Sequence, residues 1–261
     1  MKKKLLQIIL IIGLISCSSE KQIENEFDIN GDFSKLNVIR YRISKDSLKN
    51  SFNDTISVVF NEIGKNGKVN KIITKTYMRN KPIETITSNF SYNSKRQILK
   101  ELTDMESDKN KFEINYFYEN DLLHFVAMKD SLEDFTFEIN EKYNYDSNGK
   151  LKFRESFQLS YDFINKDTLS LQKVKFTYDN NEKQIKADWS EKYGEYPNMI
   201  EDFTNDSLGN VIKTISYDKL TKILDTTFYK YEYEYDIKKN WIERKTFKND
   251  TLFQITKRII E

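Results

Sequence analysis

The stretch YKYEYEYD, residues 229–236, places a tyrosine at every second position and fills the gaps with charge. Successive side chains of a β-strand point to opposite faces, so residues two apart share a face. The pattern therefore predicts a strand with one aromatic face and one charged face. Together with a tryptophan beyond the next turn, the aromatic residues form the candidate binding face: Tyr229, Tyr231, Tyr233, Tyr235 and Trp241.

A related block recurs along the chain: two aromatics separated by one residue, then Asp or Asn, a polar turn and an apolar residue. Clear copies begin at Phe90, Tyr143, Phe176 and Tyr233, and in a further copy Asn205 replaces the second aromatic. The copies are spaced by about 30 residues or a multiple of it, enough for two strands of about ten residues each. Each unit therefore predicts a β-hairpin.

Turn chemistry supports the hairpins, because proline (2) and glycine (7) are scarce and Asn or Asp must make most turns. Asn148-Gly149 and Asn66-Gly67 are strong hairpin signals. Asp followed by Ser or Thr predicts further tight turns, at Asp54-Thr55, Asp130-Ser131 and Asp250-Thr251 among others.

These patterns predict an all-β fold, an antiparallel meander of repeated β-hairpins, strongly twisted or curled into an open or half barrel with the aromatics inside. Residues 36–42 and 56–60 are expected to cap one end. Residues 254–260 are expected to form the last edge strand, protected from aggregation by Lys257, Arg258 and Glu261.

If the alternation of side chains continues unbroken through each turn, it also assigns every residue of the following strand to one face of the sheet. Trp241 and Phe247 are predicted on one face, with Arg244 and Thr246 on the other. The same rule sets a second group, Leu151, Phe153 and Phe157, against Lys152, Arg154 and Ser156. Every hairpin is thus expected to have one aromatic or apolar face and one charged face.

The N-terminus has the form of a secretion signal. Three lysines precede the apolar run of residues 5–15, which is too short to span a bilayer, since that needs about 20 residues. Leu14-Ile15-Ser16-Cys17 resembles the lipobox of bacterial lipoproteins. The resemblance implies cleavage before Cys17 and its modification by acyl chains such as palmitate, and Ser18 resembles lipoproteins sent to the outer membrane.

The predicted organisation is therefore a lipoprotein signal peptide (1–16), a lipidated Cys17 with a flexible tether (17–33), and a single β-repeat domain (34–261). The expected partner is the membrane, reached through the lipid anchor at Cys17, because two or more acyl chains bind a bilayer stably. The expected location is the bacterial cell envelope, at the outer membrane, with the body facing either the periplasm or the exterior.

The repeat itself resembles a known family. The segment Tyr143-Asn-Tyr145-Asp146-Ser-Asn-Gly149-Lys-Leu151 resembles the YD repeat of RHS-type proteins, and the likeness extends from about Thr55 to the C-terminus. Residues 231–244 look like the C-terminal part of repeat-containing bacterial envelope lipoproteins of unassigned function. The resemblance implies a sheet-forming repeat and transfers no catalytic residue.

Composition argues against several function classes. The net charge is +1, from 42 basic and 41 acidic residues, so we expect no nucleic-acid partner. His124 is the only histidine and Cys17 the only cysteine, which argues against nucleophilic catalysis and transition metals. We predict no catalytic residue, no metal and no cofactor, and we expect His124 to be a partly buried strand residue.

Two chemical alternatives remain open. Residues 28–32, Asp-Ile-Asn-Gly-Asp, alternate oxygen ligands as calcium loops do, although a turn is favoured because the later bidentate glutamate is missing. Glu232 and Glu234 share a face, as a hydrolase pair could. The interleaved lysines and arginines favour cross-strand ion pairs for these carboxylates instead.

The leading hypothesis is a membrane-anchored, non-enzymatic envelope lipoprotein whose β-repeats form a binding scaffold for a protein or glycan. The first alternative is a carrier of lipid or another hydrophobic ligand along a curved aromatic face. The second is an immunity or accessory protein of a repeat-bearing toxin. A carbohydrate-active enzyme is the weakest of the four.

Overall fold

The computed structural model describes residues 35–43, 53–63, 68–78, 81–106, 110–131, 135–162, 168–192, 198–219 and 224–261. The predicted signal peptide and tether, Cys17, residues 28–32 and Asn66-Gly67 lie outside these ranges. Within them, the chain forms sixteen strands. These are β1 (Lys35–Ile43), β2 (Asn53–Ile63), β3 (Val69–Met78), β4 (Lys81–Tyr92), β5 (Ile98–Met105), β6 (Asn110–Glu119), β7 (Leu122–Ser131), β8 (Phe135–Tyr145), β9 (Leu151–Asp162), β10 (Thr168–Tyr178), β11 (Gln184–Lys192), β12 (Met199–Asn205), β13 (Val211–Asp218), β14 (Leu224–Tyr235), β15 (Trp241–Lys248) and β16 (Thr251–Ile260).

The strands form one closed barrel in which each strand pairs antiparallel with its sequence neighbours. Closure comes from β1 and β16, which pair from Leu36 opposite Ile260 to Arg42 opposite Gln254. The predicted all-β meander of hairpins is confirmed, but the prediction of an open or half barrel is wrong. The physical reason is that pairing the first strand with the last satisfies both backbone edges at once.

Closure also corrects the roles assigned to the ends of the sheet. The predicted cap, residues 36–42 and 56–60, consists of ordinary barrel strands, β1 and β2. Residues 254–260 are not an edge, because β16 pairs with β15 as well as with β1. Arg258 is only 5% exposed and lies inside the barrel rather than at an edge, whereas Lys257 faces outward and pairs with Glu243 at 3.1 Å.

The inward face of β4–β9 forms the main hydrophobic core. A closed barrel of sixteen strands is wide enough to leave an aqueous channel unless its inner side chains fill it. Here the inward side chains are withdrawn from water, so this half of the interior is filled. The buried members are Ile86, Ile98, Met105, Phe112, Ile114, Tyr116, Leu123, Val126, Met128, Phe137, Ile139, Tyr143 and Leu151.

The outward face of the barrel carries ion pairs between neighbouring strands. Lys100 pairs with Glu113 at 2.8 Å, and Lys111 pairs with Asp104 at 2.9 Å. On another part of the wall, Lys173 Nζ lies 3.1 Å from Glu155. These pairs place charged side chains on the outward faces of β5, β6, β9 and β10.

One end of the barrel, which we call the repeat rim, carries the turns of the repeat: residues 93–97, 146–150, 179–183, 206–210 and 236–240. Each hairpin that turns at this rim has a β-bulge next to the turn. In six of these seven hairpins the second residue of the returning strand is the extra one, and in β7 it is the third residue, His124. A bulge places two residues opposite one and shifts the alternation that follows.

The bulges overturn the faces predicted beyond the turns. Because Lys152 is extra, Arg154 lies inside, completely buried. Phe153 and Phe157 therefore face outward, where Lys175 and Lys173 lie 4.0 and 4.9 Å from their ring centroids.

The same shift occurs in the last hairpin, where Ile242 is the extra residue. Arg244 lies 5.6 Å from the ring of Trp241, on the inner face, and Thr246 is buried. Phe247 faces outward, with Lys230 Nζ 5.6 Å from its ring centroid. The predicted separation of charge from aromatic residues therefore fails in β9 and β15.

The predicted Asp-Ser and Asp-Thr turns have mixed outcomes. Asp250 lies in the turn between β15 and β16 with φ of 60°, as predicted. Asp54-Thr55 and Asp130-Ser131 lie within β2 and β7, so those two turn predictions are wrong. Asn148-Gly149 does form part of a hairpin turn, and Gly149 adopts φ of 75° there.

Candidate functional site

The aspartate of each repeat organises its turn. One carboxylate oxygen of Asp146 accepts backbone N–H groups from Asn148 at 2.9 Å and Lys150 at 3.0 Å. The bond from the Lys150 backbone is the main cause that holds the pKa of Asp146 below its usual range. Asp236 accepts the equivalent bonds from Lys238 at 2.9 Å and Asn240 at 2.8 Å. The carboxylate thus replaces the backbone partners that a tight turn removes.

The tyrosine before the aspartate joins one hairpin to the previous one. The Tyr145 hydroxyl donates to the Leu123 carbonyl at 2.8 Å, and Tyr92 donates to Val69 at 2.5 Å. In the last hairpin the corresponding bond comes from Tyr233, two residues before the tyrosine that precedes Asp236, and its acceptor is the Val211 carbonyl at 2.9 Å. We call these bonds inter-hairpin clamps. Each acceptor is the first or second residue of the preceding returning strand.

The clamps explain the one repeat that lacks the second tyrosine. The Asn205 side-chain amide donates to the Gln184 carbonyl at 2.9 Å, and Gln184 is the first residue of β11. The ladder between β11 and β12 stops at Lys186 opposite Asp202. Asn205 therefore extends the pairing past the end of the ladder, as the tyrosines do elsewhere. The position requires a side-chain donor rather than an aromatic ring.

The tyrosines of the candidate binding face point into the barrel, and the residues between them point outward. Glu232 accepts from Lys230 at 2.8 Å and Glu234 from Lys245 at 2.9 Å, so the predicted cross-strand ion pairing is confirmed for Glu234. Burial raises the pKa of Tyr233. At the rim, burial and a hydrogen bond to Asp206 raise the pKa of Tyr235 to about 12.

Two arginines lie among these rings and form, with them, an aromatic–arginine cluster: Tyr231, Tyr233, Trp241, Arg244 and Arg258. The guanidinium carbon of Arg258 lies 3.5 Å from the Trp241 ring centroid, within cation–π distance. Arg244 lies 5.6 Å from Trp241 and 5.7 Å from Tyr231. Tyr233 meets the edge of Trp241 at 6.0 Å between centroids.

The charge of Arg244 has no neutralising partner in the described ranges. No carboxylate oxygen of the described residues lies within 4.0 Å of it, and its buried Nε makes no hydrogen bond to them. The nearby carboxylate of Glu201 is held by Trp189 Nε1 at 2.9 Å and by the Ser216 hydroxyl at 3.3 Å. Burial raises the pKa of Glu201. The cluster can therefore offer aromatic planes and one guanidinium to an anionic group.

The sequence pattern did not identify the inward charged residues: a bulge shifts the face of Glu101, whereas Glu141 shares the inner face with the apolar residues of its own strand. Glu101 is 3% exposed, and its carboxylate accepts hydrogen bonds from Thr103 at 3.0 Å and Tyr116 at 3.1 Å. Burial raises the pKa of Glu101. Further along the inner wall, Glu141 accepts from the Tyr143 hydroxyl at 2.6 Å. A signal was present in the repeats, since every returning strand at the repeat rim except β11, which begins with Gln184, starts with an apolar residue directly after the turn.

The remaining candidates fall in less suggestive places. His124 is the extra residue of a bulge and is exposed, 3.7 Å from Glu119, so its predicted partial burial is wrong. Over the ranges that the structure describes, His, Cys, Asp and Glu side chains form no group of three that could hold a metal ion. No helix in those ranges is long and apolar enough to cross a membrane.

Comparison with known proteins finds a family that matches part of the chain and solved structures of similar fold. The family described as PhoPQ-activated pathogenicity-related protein matches residues 174–256, about a third of the chain, from β10 to β16. A crystal structure of a porin-like protein from Bacteroides uniformis ATCC 8492 aligns with a TM-score of 0.54 at 10% identity. The alignment covers 88% of this chain and 98% of that protein. No curated protein matches this sequence. The structural likeness shows a shared barrel fold.

Proposed function

We propose that this protein is a non-enzymatic barrel of the bacterial envelope, anchored by lipid at Cys17, that binds an acidic glycan through its aromatic–arginine cluster. The observation that carries the proposal is Arg244, a half-buried arginine among Trp241, Tyr231 and Tyr233 with no carboxylate partner in the described ranges. Tyrosine and tryptophan rings suit the C–H faces of sugars, and guanidinium suits carboxylate.

Charged side chains on the outer wall favour attachment through lipid over insertion of the barrel itself. Ion pairs such as Lys100–Glu113 lie on that wall, and charged side chains facing lipid destabilise a membrane barrel by about 2–4 kcal/mol each near the bilayer midplane. The porin-like fold is therefore proposed to work beside the membrane rather than within it. A lipidated cysteine provides attachment without any contact between the wall and lipid.

The filled inner face of β4–β9 favours this function over a carrier of apolar ligands. A carrier needs a vacant apolar cavity, whereas Ile98 and Ile114 in that half are each 2% exposed. The aromatic–arginine cluster, by contrast, reaches the repeat rim, where Tyr235 is 37% exposed. A ligand can reach the cluster from this end of the barrel.

The test is a calorimetric titration of the purified protein with oligosaccharides of equal length, one rich in uronic acids and one neutral. Arg244→Met should weaken binding of the acidic glycan by about tenfold or more, since hydrogen bonds to charged groups contribute about 1.5–3 kcal/mol. Lys230→Met is the matched control, because it removes one positive charge from the outer face of the adjacent strand.

Equal weakening by Arg244→Met and Lys230→Met would attribute binding to net charge and refute the assigned site. Equal affinity for the neutral glycan would refute the role of the guanidinium. If neither glycan binds and a protein partner is recovered from detergent-solubilised envelope, the ligand of the cluster is a protein rather than a glycan.

A further inference from the structure

The first strand of the barrel begins, and the last strand ends, at the repeat rim. Lys35 opens β1 opposite Glu62, which lies next to the connection from β2 to β3. Ile260 closes β16 opposite Leu36. The chain before Lys35 therefore leaves the barrel at the repeat rim. If Cys17 carries lipid, as proposed above, the rim that holds the repeat turns is the one tied to the membrane.

The same rim presents apolar side chains to water. Ile237, at the tip of the turn from β14 to β15, is 99% exposed, and Leu208, at the tip of the neighbouring turn, is 55% exposed. The extra residues Ile185 and Ile242 of two rim bulges face outward and are 38% and 37% exposed. We call Ile185, Leu208, Ile237 and Ile242 the apolar sector.

Cationic side chains accompany the apolar sector. Lys238 and Lys239 follow Ile237 directly in the turn, and both are exposed. Lysine beside a protruding apolar side chain is the arrangement that binds an anionic membrane surface, since the chain end enters the interface and the ammonium stays with the headgroups. The backbone N–H groups of Lys238 and Asn240 bond to the Asp236 carboxylate. The side chain of Ile237 packs against no part of the barrel, since it is 99% exposed.

We propose that the apolar sector docks on the surface of the anchoring membrane, with Ile237 and Leu208 inserted at headgroup depth. This inference rests on the proposed lipid anchor. The tether predicted from the sequence, residues 17–33, has a length at which a flexible chain in general spans roughly 23 Å, and such a tether would keep the rim close to the bilayer without forcing contact. Docking thus depends on the side chains of the sector. It also holds the aromatic–arginine cluster at the level of membrane-carried glycans.

The experiment uses the full lipidated protein in vesicles of phosphatidylethanolamine and phosphatidylglycerol. Ile237→Cys gives a single free thiol, because Cys17 is occupied by lipid, and it is labelled with an environment-sensitive fluorophore. Lys81→Cys is the matched control, since Lys81 is exposed next to a turn at the opposite rim. The expected result is a blue shift and strong quenching by brominated lipids at position 237, and neither at position 81.

Equal quenching at the two positions, or none at position 237, would overturn docking while leaving the anchor intact. The anchor is checked separately by the acyl mass on the N-terminal peptide and by flotation with the vesicles. A second variant, Leu208→Ser in the Ile237→Cys background, should reduce quenching at position 237 several-fold. Unchanged quenching in that variant would also contradict docking by the sector.

Discussion

The inter-hairpin clamps predict a measurable cost for removing a single hydroxyl. Tyr145→Phe retains the ring and deletes only the donor to the Leu123 carbonyl, at 2.8 Å. The ladder between β7 and β8 stops at Phe125 opposite Lys142, so the backbone ladder supplies no substitute for this bond. Leu123 is 7% exposed, and water cannot easily take the place of the hydroxyl.

The magnitude follows from those two observations. An ordinary hydrogen bond contributes about 0.5–1.5 kcal/mol, and a buried carbonyl left without a partner costs about 1–3 kcal/mol. Because Tyr145 is partly exposed, we expect a loss of about 1.5 kcal/mol in the free energy of unfolding. For a chain of this size that corresponds to a fall of roughly 3–6 °C in Tm.

The assay is chemical and thermal unfolding followed by circular dichroism and tyrosine fluorescence. Tyr229→Phe is the matched control, because its hydroxyl has no hydrogen-bond partner in the ranges described, and it should change stability by less than about 0.5 kcal/mol. If Tyr145→Phe were as stable as the wild type, or if both variants lost the same amount, the clamp would have no energetic role.

Three further predictions concern the turns, the interior and closure. Gly149→Ala should lower the unfolding free energy by about 1 kcal/mol because of its φ of 75°, whereas Lys239→Gly, with φ of 65°, should raise it by several tenths in thermal melts. Burial raises the pKa of Glu101 above its ordinary 4.5, so the native state holds that proton more tightly and stability falls as pH rises between the two pKa values. Glu101→Gln should reduce this fall in melts recorded across pH, with the remainder coming from Glu201, whose pKa burial also raises, and an unchanged fall would show that Glu101 does not contribute to it. Deleting residues 254–261 should leave β1 and β15 as exposed edges and cause aggregation by sedimentation, whereas a soluble, cooperatively melting product would show that closure is dispensable.

The sequence by itself determined the local structure. Tyrosine at every second residue from Tyr229 to Tyr235 required a strand, and the recurrent Asp after the tyrosine required a tight turn at each repeat. Both are short-range effects: side-chain alternation is a property of the extended backbone, and the Asp146 carboxylate bonds to N–H groups two and four residues away. The inward direction of the tyrosines follows from the same alternation.

Two features were decided only by the tertiary structure. Closure depends on β1 meeting β16 across more than two hundred residues, and no local signal records whether a meander is long enough to meet itself. The faces of Arg154 and Arg244 depend on single extra residues, Lys152 and Ile242, at bulges that form only when the two strands pair. One added residue reverses the alternation, and that is why the candidate site contains guanidinium groups that the sequence pattern assigned to water.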